Sequence, residues 1–204
     1  MNIPNKLTLS RLILTPVAFA LFLLSSYDRA TAFEFSSLKV VLSSLLLLLM
    51  IYMEVSDVAD GKIARKHKLV TDLGKVFDPF SDMFMHLTLF FAFVLKGDMP
   101  FIAFILMLWR ELLMLLMRML LSSKSVSFPA NIFGKGKTVF FSITTFFILI
   151  YNLVLNIVGY SDVCRTVDTV IVVLCYISAF LSVMSFIIYM HNIRKSKVLD
   201  SLTR

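Results

Sequence analysis

The stretch "DVADGKIARKHKLVTDLGKVFDPFSD", residues 57–82, places four of its five aspartates in two close pairs: Asp57 and Asp60, Asp78 and Asp82. Asp57 and Asp60 are three apart, and Asp78 and Asp82 four apart, so each pair shares one face of a helix. The connection over 61–75 is short enough for the two pairs to face each other. Carboxylates brought this close repel one another and need a compensating cation. Oxygen-only donors suit hard divalent ions, Mg²⁺ or Mn²⁺. Four aspartates can bridge two such ions, which then clamp a phosphoryl group undergoing displacement. The interleaved residues fit phosphate handling. Gly61 and Gly74 admit a ligand or a neighbouring backbone, Ala64 is small, and Arg65 carries a planar fork matched to phosphate oxygens.

The elements that must position these groups are apolar. "VVLSSLLLLLM" precedes the stretch and "MFMHLTLFFAFVL" follows it. Over 204 residues the chain is 59% hydrophobic and 16% charged, with a mean hydropathy of +0.89. Soluble domains are nearer half apolar and a quarter charged. The expectation is an all-α integral membrane protein, one membrane domain over 1–204. Its six spans fall at roughly 7–26, 38–58, 76–95, 100–122, 138–157 and 167–190. The first span carries signal-peptide features, Lys6 and Arg11 before an apolar run with small residues at 30 and 32, but reads as a retained helix.

Orientation follows from the basic residues. Of 20 Lys and Arg, only Arg29, Lys39, Lys96 and Arg165 fall in or beside the outer connections. The positive-inside rule then puts both termini and the aspartate stretch in the cytoplasm. The net charge of +7 gathers on that side, where anionic headgroups and phosphorylated solutes lie. No aromatic-interleaved basic stripe accompanies it, so no nucleic-acid partner is expected. Cys164 and Cys175 have no metal or redox spacing.

The pattern D-x2-D-G-x2-A-R-x8-G-x3-D-x3-D, filled here by Asp57, Asp60, Gly61, Ala64, Arg65, Gly74, Asp78 and Asp82, resembles the signature of the CDP-alcohol phosphotransferase family. The resemblance implies a six-helix membrane enzyme, a homodimer, with its site open to the cytoplasm. Such an enzyme moves a phosphatidyl or similar group from a CDP-linked donor to an acceptor alcohol and releases CMP. It implies that Asp57, Asp60, Asp78 and Asp82 hold two divalent ions and that Asp82 is the general base. It also implies that Gly61, Ala64 and Gly74 make room for cytidine and ribose, that Arg65 binds phosphate, and that Asn5 and Thr8 contact the donor. "NIPNKLTLSR", "WRELLMLLMR" and "GKGKT" are similar to blocks of the phosphatidylglycerophosphate-forming branch of the family. That branch uses CDP-diacylglycerol and glycerol 3-phosphate.

An acceptor site also makes sense of the later blocks. Arg110, Glu111 and Arg118 lie in or beside the fourth span, where ionisable residues are functional candidates. Arg110 and Arg118 are eight apart and expected near one face, with Lys135 and Lys137 in the loop opening the fifth helix. Arg110, Arg118 and Lys135 would bind a second phosphate, that of glycerol 3-phosphate. Met83 stands where this branch usually has lysine, so serine or inositol phosphate stay open as acceptors. His86, on the face of Asp82, is expected to pack or hydrogen-bond rather than ligate metal. Asn2 and Arg11 read as capping and positive-inside flanking of the first helix. A divalent-cation transporter is the competing class. Transporters favour midplane sites within repeated halves, and neither is seen here.

Overall fold

A computed structural model describes residues 2–28, 36–66, 72–122 and 132–195. Among these residues every regular element is a helix: α1 (Ile3–Ser25), α2 (Ser37–Lys66), α3 (Asp72–Lys96), α4 (Phe101–Ser122), α5 (Ile132–Val158) and α6 (Asp162–Lys195). Each buries a stripe at helical spacing. On α1 it is Thr8, Arg11, Thr15, Ala18 and Phe22; on α2 it is Leu46, Met50, Met53 and Asp60. The same rows that hold the apolar core therefore carry the polar site at one end. Two α-helix ends use glycine at positive φ. Gly97 (φ 78) closes α3, with its N–H on the Val94 carbonyl at 3.1 Å and that of Asp98 on Phe93 at 2.8 Å. Gly159 (φ 83) closes α5 by one bond to Leu155 at 2.9 Å.

Outward faces are hydrocarbon, with Leu48, Ile102, Trp109 and Phe180 all mostly exposed. Five helices are long and apolar enough to cross a membrane: Pro4–Ser25, Ser37–Ile63, Phe77–Lys96, Ile132–Val158 and Asp162–Lys195. The expected sixth, α4, falls outside that set because Arg110, Glu111 and Arg118 all lie within any 18-residue window of it. Its buried charges are met inside the bundle, as described below. The protein is an all-α, multi-pass membrane protein.

The helices pack as α1·α2, α1·α3, α2·α5, α3·α4, α3·α5, α4·α6 and α5·α6. Their core runs through Phe22, Met50, Leu89, Phe93, Met107 and Phe141. The far end is tied by Asn156, whose amide donates to the Ser25 carbonyl at 2.7 Å and Ser43 Oγ at 2.9 Å. This places the end of α1, the start of α2 and the end of α5 together. The opposite end gathers the start of α1, the end of α2 and the starts of α3 and α5.

Helix lengths correct two expectations. α2 runs on to Lys66 and α3 begins at Asp72, so Gly61, Ala64, Arg65 and Gly74 lie on helices rather than in a connection. α5 begins at Ile132, so Lys135 and Lys137 occupy its first two turns instead of a loop. Hydropathy stops at the first charges, whereas a helix stops only where its backbone bonding stops. Thirty residues rise about 45 Å, well beyond a hydrocarbon core of about 30 Å.

Candidate active site

Arg11 stands at the centre of the polar end. It lies on the buried face of α1 and is 0% exposed. Its Nη1 donates to Asp57 Oδ1, and its Nη2 to Asp60 Oδ2 at 2.5 Å and Asp78 Oδ1 at 2.7 Å. One guanidinium thus meets three carboxylates, two from the end of α2 and one from the start of α3. The depth of α1 in the bundle sets this geometry. Thr15 returns its hydroxyl to the Arg11 carbonyl at 2.7 Å, and Ser81 of α3 donates to the Thr8 carbonyl at 3.3 Å. Thr8 Oγ1 lies 3.1 Å from Asp60 Oδ2 and 3.2 Å from the Pro4 carbonyl, so its single proton serves one acceptor at a time.

Carboxylate oxygens of Asp57, Asp60 and Asp78 lie within 4.8 Å of one another, close enough to hold a metal ion. All three are hard oxygen donors, and the cluster already accommodates a cationic head group. The residues present therefore fit Mg²⁺ or Mn²⁺. Of the four signature aspartates, Asp82 is the one not in this trio. It sits one turn beyond Asp78, and its Oδ1 lies 3.4 Å from His86 Nε2. His86 is 1% exposed, and Nε2 is also 3.7 Å from Glu54 Oε1. Glu54 accepts from Ser142 of α5 at 2.9 Å. The imidazole packs against Phe90 and Phe141, with ring centroids 5.9 and 5.7 Å away. His86 therefore packs as expected, and it also faces the two carboxylates of Asp82 and Glu54.

The remaining expected donor residues fall around the same end. Asn5 is buried on α1, and Gly61 follows Asp60 directly on α2, with Gly74 four residues before Asp78 on α3. The side chains of Ala64 and Arg65 lie outside the described residues.

The basic residues expected to hold an acceptor phosphate divide in two. Arg110 is buried with its donors committed: Nε to the Ser182 carbonyl at 3.1 Å, Nη1 to Glu111 Oε1 at 2.7 Å, and Nη2 to Ser185 Oγ at 2.9 Å. Lys137 is buried too, donating to the same Glu111 oxygen at 2.8 Å, with its ammonium 4.8 Å from the Phe141 ring centroid. Arg118 and Lys135 are exposed. Eight residues make 2.2 turns, so Arg118 is rotated by about 80° from Arg110 and the two do not share a face. The structure thus joins Arg110 to Lys137 through Glu111 and leaves Arg118 and Lys135 outside that network.

Sequence reasoning missed Arg11 as a site residue. The available signal was an arginine eight residues inside a helix otherwise apolar toward its centre, since an ionisable residue in a span marks function by default.

Comparison with known proteins agrees with this geometry. A family model described as CDP-alcohol phosphatidyltransferase matches residues 1–181. A protein of Rickettsia typhi named CDP-diacylglycerol–glycerol-3-phosphate 3-phosphatidyltransferase is 34% identical over 137 residues, 67% of this chain and 70% of its own length. Proteins of the same name from Aquifex aeolicus and Bacillus subtilis are 32% and 30% identical. They cover 74% and 78% of this chain, and 78% and 82% of their own lengths. A match over that much of the chain, with the signature aspartates converging at one end of a membrane bundle, places this protein in the CDP-alcohol phosphatidyltransferase family.

Proposed function

We propose that the protein transfers the phosphatidyl group of CDP-diacylglycerol to sn-glycerol 3-phosphate, giving phosphatidylglycerophosphate and CMP. The observation that carries this reading is the convergence of Asp57, Asp60 and Asp78 from two helices onto one cationic centre at one end of the bundle. The named activity of the relatives supports the choice of donor and acceptor. An apolar groove of ≈ 440 Å³ supports a lipid donor. It runs between α1, α3 and α4 and is lined by Phe19, Met83, Leu87, Phe91, Leu108 and others.

In this reading Asp57, Asp60, Asp78 and Asp82 hold two Mg²⁺ or Mn²⁺ ions, which when bound neutralise charge on the pyrophosphate and on departing CMP. Asp82 takes the proton from a glycerol 3-phosphate hydroxyl as that oxygen attacks the phosphatidyl phosphorus. The bond from phosphorus to the CMP oxygen breaks, and CMP leaves with the electron pair. By the family resemblance, Gly61, Ala64 and Gly74 would leave room for the nucleoside, Arg65 would bind the donor's phosphate and Asn5 would contact the donor. Thr8 reaches it by holding Asp60. Arg118 and Lys135 supply exposed positive charge for the acceptor phosphate, while Arg110 and Lys137 frame the site from beneath through Glu111. Excess basic charge beside the site supports a bacterial-type cytoplasmic membrane with the site on the cytoplasmic side. A homodimer belongs to the same reading and rests on the family resemblance.

The test is CMP release by purified protein given CDP-diacylglycerol and Mg²⁺ or Mn²⁺, with glycerol 3-phosphate, serine and inositol phosphate offered separately. Release with glycerol 3-phosphate alone, lowered about 10²–10⁴-fold by Asp82→Asn, is the expected result. Release with another acceptor moves the acceptor assignment, and release with none sinks the donor assignment.

A further inference from the structure

We propose that Arg11 and a divalent ion are alternative occupants of the same three-carboxylate cluster: the guanidinium gathers Asp57, Asp60 and Asp78, and an arriving ion displaces it from them. The inference rests on the metal reading given above and concerns what this chain's own arginine does toward that ion.

Three observations carry it. First, the side chains that Arg11 binds are the same three whose oxygens lie within 4.8 Å of one another. Metal–oxygen bonds of about 2.0–2.2 Å cannot form at the cluster's centre while guanidinium nitrogens sit there on the same carboxylates. Second, the charges do not balance. Three carboxylates against one guanidinium leave two negative charges, whereas a divalent ion in its place leaves only one. Third, the head group is held by those carboxylates alone among its described partners. Arg11 is fully buried, yet its Nε has no hydrogen-bond partner, so no carbonyl or hydroxyl fixes the guanidinium in place. Contrast Arg110, whose Nε and Nη2 are anchored by the Ser182 carbonyl and the Ser185 hydroxyl. Arg110 is a fixed strut. Arg11 hangs on a flexible stem from the groups a metal would take.

The fork matters as much as the charge. A guanidinium spreads its donors over separate nitrogens in one rigid plane, whereas an ammonium of the same charge gathers its three rotatable donors on a single nitrogen. Charge repulsion alone would act equally through either head group. Displacement would not.

The experiment uses the full chain in detergent as wild type, Arg11→Gln and Arg11→Lys. Mn²⁺ binding is followed by the free-ion electron spin resonance signal, and melting is measured in chelator and at saturating Mn²⁺. Arg11→Gln is expected to melt about 5 °C or more below wild type in chelator. It should bind Mn²⁺ about 5–150-fold more tightly, the usual range for coupling between two occupants, and Mn²⁺ should close the melting gap. Arg11→Lys should move the same way, because it keeps the charge and loses the fork. Arg11→Lys with wild-type affinity would mean that charge alone acts and would overturn the displacement. A melting gap of the same size in chelator and at saturating Mn²⁺ would overturn it as well, by making Arg11 a purely structural counter-ion. Absence of Mn²⁺ binding in all three proteins would instead remove the metal reading, and this inference with it.

Discussion

Asp60 and Asp82 belong to one signature but do different physical work. Asp60 is 2% exposed and accepts from Arg11 at 2.5 Å, with Thr8 also 3.1 Å away. Asp82 keeps some solvent exposure and faces His86 at 3.4 Å. Neutralising Asp60 removes a partner from a buried cation, and such losses cost about 1–3 kcal/mol even where other partners remain. Asp60→Asn should therefore lower both the melting temperature and the activity. Asp82→Asn should leave the melting temperature close to wild type while activity collapses. Paired melting and turnover measurements decide this, and equal destabilisation by both variants would refute the division. The identity of the aspartates was legible in the residue spacing. Arg11 was legible only as an ionisable residue inside a span, and its partners were not, because one arginine on an apolar helix looks the same whether it faces headgroups or three carboxylates.

Among the helices, α4 buries two adjacent charges, Arg110 and Glu111, and it does so by pairing. Glu111 accepts from Arg110 of its own helix at 2.7 Å and from Lys137 of α5 at 2.8 Å, while Arg110 also grips α6 through Ser182 and Ser185. This triad fixes α4, α5 and α6 relative to one another beside the site. Removing one member strands the others as buried charges, at a cost of about 3–5 kcal/mol. Glu111→Gln should be strongly destabilising alone, and Lys137→Met should lose part of its own effect in that background. A double-mutant cycle by melting should give a coupling of about 0.5–3 kcal/mol. Additive effects would show that Glu111 and Lys137 do not act on each other. The charges of α4 were visible in the sequence, but the partners they take were not. Arg118 was paired with Arg110 by counting two turns, and the extra fifth of a turn put it on another face.

At the scale of the molecule, alternating helices bring Asp57, Asp60 and Asp78 to one end around Arg11, with Lys135 and Lys137 in the first turns of α5. Contacts at that end join the starts of α1, α3 and α5 to the end of α2, and Asn156 ties the opposite end. The proposed orientation makes a sharp prediction. In a background with Cys164 and Cys175 replaced, a cysteine at Gly136 and one at Asp98 should react with a membrane-impermeant maleimide from opposite faces of sealed vesicles. Gly136 is a mild site for the change, since nothing lies within 4 Å of an added Cβ. Labelling of both from one face would break the alternating topology.

Composition and spacing alone determined the membrane class, the family signature and the all-helical architecture, because these depend on local quantities: apolar run length, helical period and fixed offsets between aspartates. Those quantities survive without knowledge of what packs against what. Tertiary structure alone decided that Arg11 lies among Asp57, Asp60 and Asp78, that Glu54 of α2 faces His86, and that Lys137 rather than Lys135 joins Arg110 through Glu111. Each of these pairs residues on different turns or different helices. A charge in a membrane bundle takes whichever partner the packing of neighbouring helices places within about 3 Å, and no spacing along one chain segment encodes that choice.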